Sequence, residues 1–221
     1  MKPIIGIVGR INDDYIGIKD EVRNAVIKCG GIPISILPTK RIEYNNVLEC
    51  KDILTAVEEN DLISEIKLCD GIIMPGGSLI FNYDKFICKY AIDNNIPILG
   101  ICLGMQIMAT YINDSLKHID NENHNTKDLY VHSVTTRPNS ILNDIFGDFL
   151  MVNSRHNEQV IKVGDYIITA ISEDDIIEGI EYPFNTFNVG VQWHPESMIE
   201  YDKKQFELMK LFISKCIKFD K

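Results

Sequence analysis

The first half of the chain alternates between short apolar runs and amphipathic stretches. Pro3 to Val8, Ile32 to Leu37, Gly71 to Met74 and Ile96 to Ile101 are almost free of charged side chains. Runs of this length without polar alternation suit strands buried on both faces of a parallel sheet. Helical patterns lie between them. From about Ile18 to Cys29 the residues Val22, Ala25, Val26 and Cys29 share one face, and Gly30-Gly31 ends the segment. Asn60 is placed to cap a short helix running to Leu68, and another helix is predicted from about Asp84 to Asp93. Thr39 to Glu59 is mixed in charge, and only part of it reads as helical. Strand, helix and strand in close succession imply right-handed parallel crossovers. The expected result is an open parallel sheet with helices on both sides and functional loops at the carboxyl ends of the strands.

The pattern changes past residue 111. Ile112 to Asp128 is rich in Asn and Asp and reads as an irregular excursion. Leu129 to Val134, Phe149 to Val152, Tyr166 to Ile171, Ile176 to Glu181 and Val189 to Gln192 are short strands separated by turn-rich pieces. Ser140 can cap a short helix to Phe146. Asp202 to Lys218 is a last amphipathic helix, with Phe206, Met209, Ile213 and Cys216 at helical intervals. No linker, repeat or low-complexity tract interrupts the sequence, so residues 1–221 read as one domain. The fold class is α/β: a three-layer, open, mostly parallel sheet flanked by helices, with additional short antiparallel strands in the C-terminal half.

Composition narrows the function. Of 221 residues, 45% are hydrophobic and 24% charged, an ordinary globular balance. No stretch is long enough to span a membrane, and the apolar start is too short for a secretion signal. With 32 acidic against 22 basic side chains the net charge is -10, which disfavours nucleic acid and anionic membranes as partners. Six cysteines occur without a Cys-x-x-Cys pair, so neither a disulfide framework nor a thiolate zinc site is indicated. They read as reduced thiols of a cytoplasmic protein. His118, His124 and His132 show no ligand spacing and read as surface or structural residues; no metal or cofactor is expected.

Chemistry concentrates in a few stretches. Gly100-Ile101-Cys102-Leu103-Gly104 follows an apolar strand and precedes a helical pattern. It is the cysteine form of the nucleophile elbow, a sharp strand-to-helix turn that lifts one side chain clear of the sheet. A helix N-terminus there favours the thiolate over the thiol. Gln192-Trp193-His194-Pro195-Glu196 follows another strand. In extended backbone His194 and Glu196 point to one side, so the carboxylate can orient an imidazole that serves Cys102 as base. Pro75-Gly76-Gly77 ends a strand upstream of the elbow and can present backbone N–H groups to a developing oxyanion, jointly with Leu103. Asn153 to Gln159 is a dense polar run that offers donors and acceptors to a zwitterionic ligand. Each stretch also has a plainer reading: a buried core cysteine, a surface turn, a simple glycine turn and a solvated loop.

Taken together and in this order, the elbow, the upstream Gly-Gly and Gln-Trp-His-Pro-Glu resemble the class I glutamine amidotransferase superfamily, with its flavodoxin-like fold. Lys2-Pro3-Ile4-Ile5-Gly6-Ile7, Gly30-Gly31-Ile32-Pro33, Met105-Gln106, Val152-Asn153-Ser154, Ile176 to Glu181 and Trp193 resemble its γ-glutamyl-γ-aminobutyrate hydrolase branch, the γ-glutamyl hydrolase-like peptidases. The resemblance covers nearly the whole chain. It implies a Cys102–His194–Glu196 triad, a γ-glutamyl thioester on Cys102 and an oxyanion hole from Gly77 and Leu103. It also implies a substrate site that includes Gly76, Gln106, Arg155, His156 and Asn157. Branch hydrolases often carry Arg where this chain has Leu103, and His-His-Gln where it has His156-Asn157-Glu158-Gln159; the segment between Gly77 and the elbow is also short for the branch. These departures touch the substrate end and not the triad. Gln106 can alternatively help to cap its helix.

Three functions fit these residues. One is a stand-alone hydrolase of γ-glutamyl amides acting on a small molecule; a homodimer is compatible with it. The second is a glutaminase subunit passing ammonia to a separate synthase partner. The third is a binding or redox-sensing module with Cys102 as an oxidisable thiol. Only 25 residues follow Glu196, which points away from a fused synthase domain, and a complete triad pattern points away from a bare sensor.

Overall fold

The apolar runs of the first half become neighbouring strands. A computed structural model describes residues 1–11, 15–39, 53–111, 115–120 and 124–217. In chain order these form β1 (Ile4–Val8), β2 (Arg10–Ile11), β3 (Ile16–Gly17), α1 (Asp20–Lys28), β4 (Ile32–Ile36), α2 (Ala56–Ile66), β5 (Gly71–Met74), α3 (Asn82–Asp93), β6 (Ile98–Ile101) and α4 (Leu103–Thr110). There follow β7 (Leu116–His118), β8 (His132–Thr136), α5 (Ile141–Phe146), β9 (Phe149–Val152), β10 (Glu158–Val160), β11 (Ile167–Ser172), β12 (Ile177–Glu181), β13 (Asn188–Val191) and α6 (Lys203–Lys215). Among the described residues, nine strands make one sheet in the order β4-β1-β5-β6-β13-β12-β11-β8-β9. The first five are mutually parallel, and β12, β11, β8 and β9 continue the sheet antiparallel.

Two apolar clusters, one on each face, hold the layers together. On β5, Ile73 joins one cluster while Ile72 and Met74 join the other, as the two-residue period of a strand requires. The first cluster takes Val22, Ala25 and Val26 of α1, Leu142 and Phe146 of α5 and Phe212 of α6. The second takes Leu62 and Ile66 of α2, Ile87 and Ala91 of α3 and Ile107 and Met108 of α4. A fully buried Ile or Leu contributes about 1.5–3 kcal/mol relative to an exposed one, so both faces are strongly specified.

The structure departs from the sequence reading in several places. Asn60 is inside α2 and caps nothing. The helix starts at Ala56, where the Thr55 hydroxyl accepts from the Glu58 N–H (3.3 Å) and the Glu58 carboxylate accepts from the Thr55 N–H (2.7 Å). This reciprocal Thr-x-x-Glu box satisfies two donors at once, which a single Asn does not. The rest of the Thr39 stretch, residues 40–52, lies outside the described residues. The polar excursion contains β7, which pairs antiparallel with β10, so the Asn153 to Gln159 run ends in a strand and not a free loop. Finally, β8 starts three residues later than Leu129 suggested. No helix among the described residues is long and apolar enough to cross a membrane.

Candidate active site

Three neighbouring parallel strands deliver three segments to one edge of the sheet. β5 runs into Pro75-Gly76-Gly77, β6 into Cys102, and β13 into Gln192-Trp193-His194. They border a cavity of about 360 Å³ to which Arg10 and Arg155 also contribute. A second cavity of similar size meets Cys102 from the side of Gln106, His156 and Asn157.

Cys102 occupies the turn between β6 and α4 with φ 52° and ψ -108°, a left-handed conformation that a non-glycine residue enters only under constraint. The constraint is visible on both sides. Its N–H donates to the Val191 carbonyl (2.8 Å) and its carbonyl accepts from the Gln106 N–H (3.1 Å). Close packing of α4 against β5 completes it: a Cβ at Gly104 would stand 1.9 Å from the Met74 carbonyl oxygen, so only glycine permits the helix to begin there.

His194 is held through its backbone. The Asn153 side chain accepts from the His194 N–H (2.8 Å) and donates to its carbonyl (3.0 Å). The neighbouring Trp193 is fully buried, stacked edge-on against Phe146 and donating from Nε1 to Gln205 (2.9 Å). The imidazole Nδ1 meets Glu196 Oε1 at 2.8 Å, which leaves Nε2 as the nitrogen free for the thiol. The backbone route differs from the expected one. His194 and Glu196 approach through a one-turn 3₁₀ helix, Pro195–Ser197, and not along an extended strand. Gly76 lies under the ring, where a Cβ would come within 2.8 Å of His194 Cε1.

Electrostatics follow from this packing. Burial alone would raise the Cys102 thiol, but the adjacent His194 outweighs it and holds the pKa below the ordinary thiol value. Burial would lower His194; the Glu196 carboxylate and the Cys102 sulfur push it up instead, to about 10. A thiolate–imidazolium pair is therefore favoured, and α4 begins directly beneath the sulfur.

The other expected residues fall as follows. Gly77 lies beside Leu103, and a Cβ there would be 3.0 Å from the Leu103 side chain. Gln106 is buried but does not cap its helix; Nε2 donates to the Glu158 carbonyl (3.0 Å) and to Gln192 (3.2 Å). Arg155 is partly exposed on the cavity wall, 4.0 Å from Glu21. Asn157 is exposed, and its Oδ1 accepts from Asn125 (2.9 Å).

Two features escaped the sequence reading. The first is Arg10, which ion-pairs with the fully buried Asp84 and donates twice to the Pro75 carbonyl (3.1 and 2.8 Å). It thereby fixes the Pro75-Gly76-Gly77 turn. Asp84 also accepts from the Phe81 N–H (3.0 Å); burial raises its pKa despite these partners. The Val-Gly-Arg that closes the first apolar run was the available signal. The second is a histidine cluster. His124 and His132, read as surface or structural residues, are 2% and 7% exposed and gather with His156 around the fully buried Glu178; only His118 is exposed. His156 uses Nδ1 on the Glu158 carbonyl (3.0 Å) and turns Nε2 to His124 and Glu178. Burial would lower its pKa, but Glu178, Cys102 and the Glu158 carbonyl raise it.

The chain is similar to known proteins over most of its length. A glutamine amidotransferase-like protein of Rickettsia prowazekii is 27% identical, covering 88% of this chain and 91% of the relative. The CTP synthase of Sulfurisphaera tokodaii is 26% identical over 87% of this chain but only 40% of its own length. The glutaminase domain of Trypanosoma brucei CTPS superposes with a TM-score of 0.67 over 96% of this chain and 94% of that one, at 17% identity, a likeness of fold. The peptidase C26 family profile matches residues 82–196, more than half of the sequence. The chain therefore belongs to the peptidase C26 family, among the glutamine amidotransferase-like cysteine hydrolases.

Proposed function

We propose that this protein hydrolyses γ-glutamyl amides through Cys102, His194 and Glu196, releasing glutamate and an amine. The observation that carries this reading is the strained Cys102 turn beside an imidazole whose other nitrogen is locked to Glu196 at 2.8 Å. The Cys102 sulfur attacks the amide carbon. Backbone N–H groups of Gly77 and Leu103 receive the charge that develops on oxygen. The C–N bond breaks as His194 gives its proton to the leaving amine, and a γ-glutamyl thioester remains. Water, deprotonated by His194, then cleaves the thioester and frees glutamate and the thiol. Glu196 keeps the imidazole in one tautomer and stabilises its cationic form. Arg155 suits the α-carboxylate of the glutamyl group, with Gly76, Gln106 and Asn157 lining the approach. His156 borders the site with both ring nitrogens directed to protein groups and not to the cavity.

A second reading, a glutaminase passing ammonia to a separate synthase, draws support from the CTP synthase relatives and from Leu103 after the nucleophile. The test is kcat/KM of the isolated chain on glutamine and on a panel of γ-glutamyl derivatives of small amines. Turnover of the amines with glutamine a poor substrate supports the hydrolase. Silence on all of them, relieved only by an added synthase, overturns it in favour of the second reading.

A further inference from the structure

We infer that His124, His132, His156 and Glu178 form a closed four-ligand site for one divalent transition-metal ion, zinc by its donor set. The argument rests on which atoms face inward. His156 turns Nδ1 to the Glu158 carbonyl (3.0 Å), and His124 turns Nε2 to Asp174 Oδ2 (2.9 Å). His132 has Nδ1 3.4 Å from the Ser133 carbonyl. Assigning the ring protons to these outward contacts leaves a lone pair on His156 Nε2, His124 Nδ1 and His132 Nε2, the atoms that gather beside Glu178. The Ser154 hydroxyl, 3.2 Å from His124 Nδ1, donates to the His124 carbonyl at 2.8 Å. A ligating histidine backed by a carboxylate or a backbone carbonyl is the usual outer shell of a metal site.

The spacing matches. The four donor atoms lie within 4.8 Å of one another. His124 Nδ1 and His156 Nε2 are 3.3 Å apart, and Glu178 Oε1 is 3.6, 3.6 and 3.9 Å from His132, His156 and His124. A tetrahedral ion with bonds of ~2.0–2.1 Å holds its donors ~3.3 Å apart. The three Glu178 separations exceed hydrogen-bond range, the His124–His156 contact lies at its long end, and all four are close to those that a shared cation would set. Glu178 is fully buried and neither of its oxygens has a hydrogen-bond partner; His132 Nε2 has none either. An ionised carboxylate in that state is costly unless a cation sits between it and the imidazoles.

Three imidazoles and one carboxylate favour zinc over calcium or magnesium, which prefer oxygen ligands. Access is also present. His124 and His132 border a surface cleft with Asp128, Glu173 and Asp174, an acidic mouth for a cation. Four protein ligands leave no open position, so the role is structural. The ion would fasten the 124–125 segment, β8, β12 and the Ser154–His156 turn to one another, and through that turn steady Arg155 at the cavity and Asn153 under His194.

The test uses the tag-free full chain carrying Cys102→Ala, which removes the thiol of the candidate active site. The protein is stripped with chelator, loaded with zinc alone, desalted and assayed for metal by mass spectrometry. One equivalent retained per chain, a raised melting temperature and tetrahedral cobalt(II) ligand-field bands without a thiolate charge-transfer band are expected. Glu178→Gln and, separately, His132→Asn should abolish stoichiometric retention. Asp174→Asn should weaken affinity by about 10–100-fold, and exposed His118→Ala should change nothing. Absence of retained zinc in the parent overturns the assignment, as does equal retention by Glu178→Gln.

Discussion

Two histidine groups centred on buried carboxylates share this molecule and are built in opposite ways. At His194 the carboxylate of Glu196 closes on the ring at 2.8 Å, while at Glu178 three imidazoles stop at 3.6 to 3.9 Å. Both carboxylates are buried, so solvent does not explain the difference. A closed pair selects a tautomer and stabilises an imidazolium, which is what an acid–base partner of Cys102 requires. An open ring instead gathers three imidazole nitrogens around one carboxylate oxygen within 4.8 Å, at separations suited to a shared ion. Residue types alone therefore say little; the separation distinguishes a proton site from a cation site.

The largest break in this comparison comes from Cys102→Ala. It should abolish turnover of any γ-glutamyl amide while leaving the far-UV spectrum and melting curve of the parent, because every covalent step passes through that sulfur. Next is Glu196→Gln, which should lower kcat by about 10²–10⁴-fold with a smaller effect on KM. Parent-like kcat in this variant would show that closure at 2.8 Å is not what activates the imidazole.

A closed ion pair elsewhere gives a calibration away from the chemistry. Asp84→Asn leaves the Arg10 guanidinium buried beside a neutral partner, and should reduce unfolding free energy by about 3–5 kcal/mol in denaturant titration. A loss under ~1 kcal/mol would mean that Arg10 is satisfied without the Asp84 carboxylate.

Smaller effects test the protonation states. Alkylation followed by peptide mass spectrometry from about pH 5 to 9 should modify Cys102 with an inflection below the ordinary ~8.5 of a free thiol. Cys29, raised by burial to about 11, and Cys88, raised further by burial, should stay unmodified. The His194–Glu196 pair should also show in stability. The folded-state pKa of His194 lies above the unfolded value, so the folded chain binds the extra proton. The contribution is complete below ~6.5 and is lost as pH rises through about 10. The stability difference between the parent and Glu196→Gln should shrink across that window, and in a Cys102→Ala background, which lacks the sulfur's share of the shift, it should be lost at lower pH; a difference that grows with pH would reverse the sign of the coupling.

What could be read from the sequence depended on range. β1, β4, β5 and β6 are continuous apolar runs in consecutive crossovers, so their identity is local information. Cys102 and His194 were legible because a turn and a short motif mark each of them. The Asn60 cap failed because Asn at a helix start is only a preference, whereas Thr55 and Glu58 satisfy each other across one turn. The histidine cluster was illegible for another reason. His124, His132, His156 and Glu178 come from separate segments, brought together by β8, β12 and the turn before β10, and no periodicity carries that pairing. Arg10 was hidden likewise, its partner Asp84 lying 74 residues away.

The position of β13 bears on the history of each molecule as it folds. It enters the middle of the sheet, between β6 and β12, although β6 precedes it by nearly the length of the C-terminal half. Such long-range pairing forms late, after loop closure has been paid for. Val191, which receives the Cys102 N–H, and His194, which lowers the thiol pKa, both arrive with that strand or just after it. A chain with β6 formed and β13 still absent thus carries a cysteine without its imidazole partner. Full reactivity requires closure of the sheet, which limits the oxidation and misdirected acylation that an early thiolate would invite.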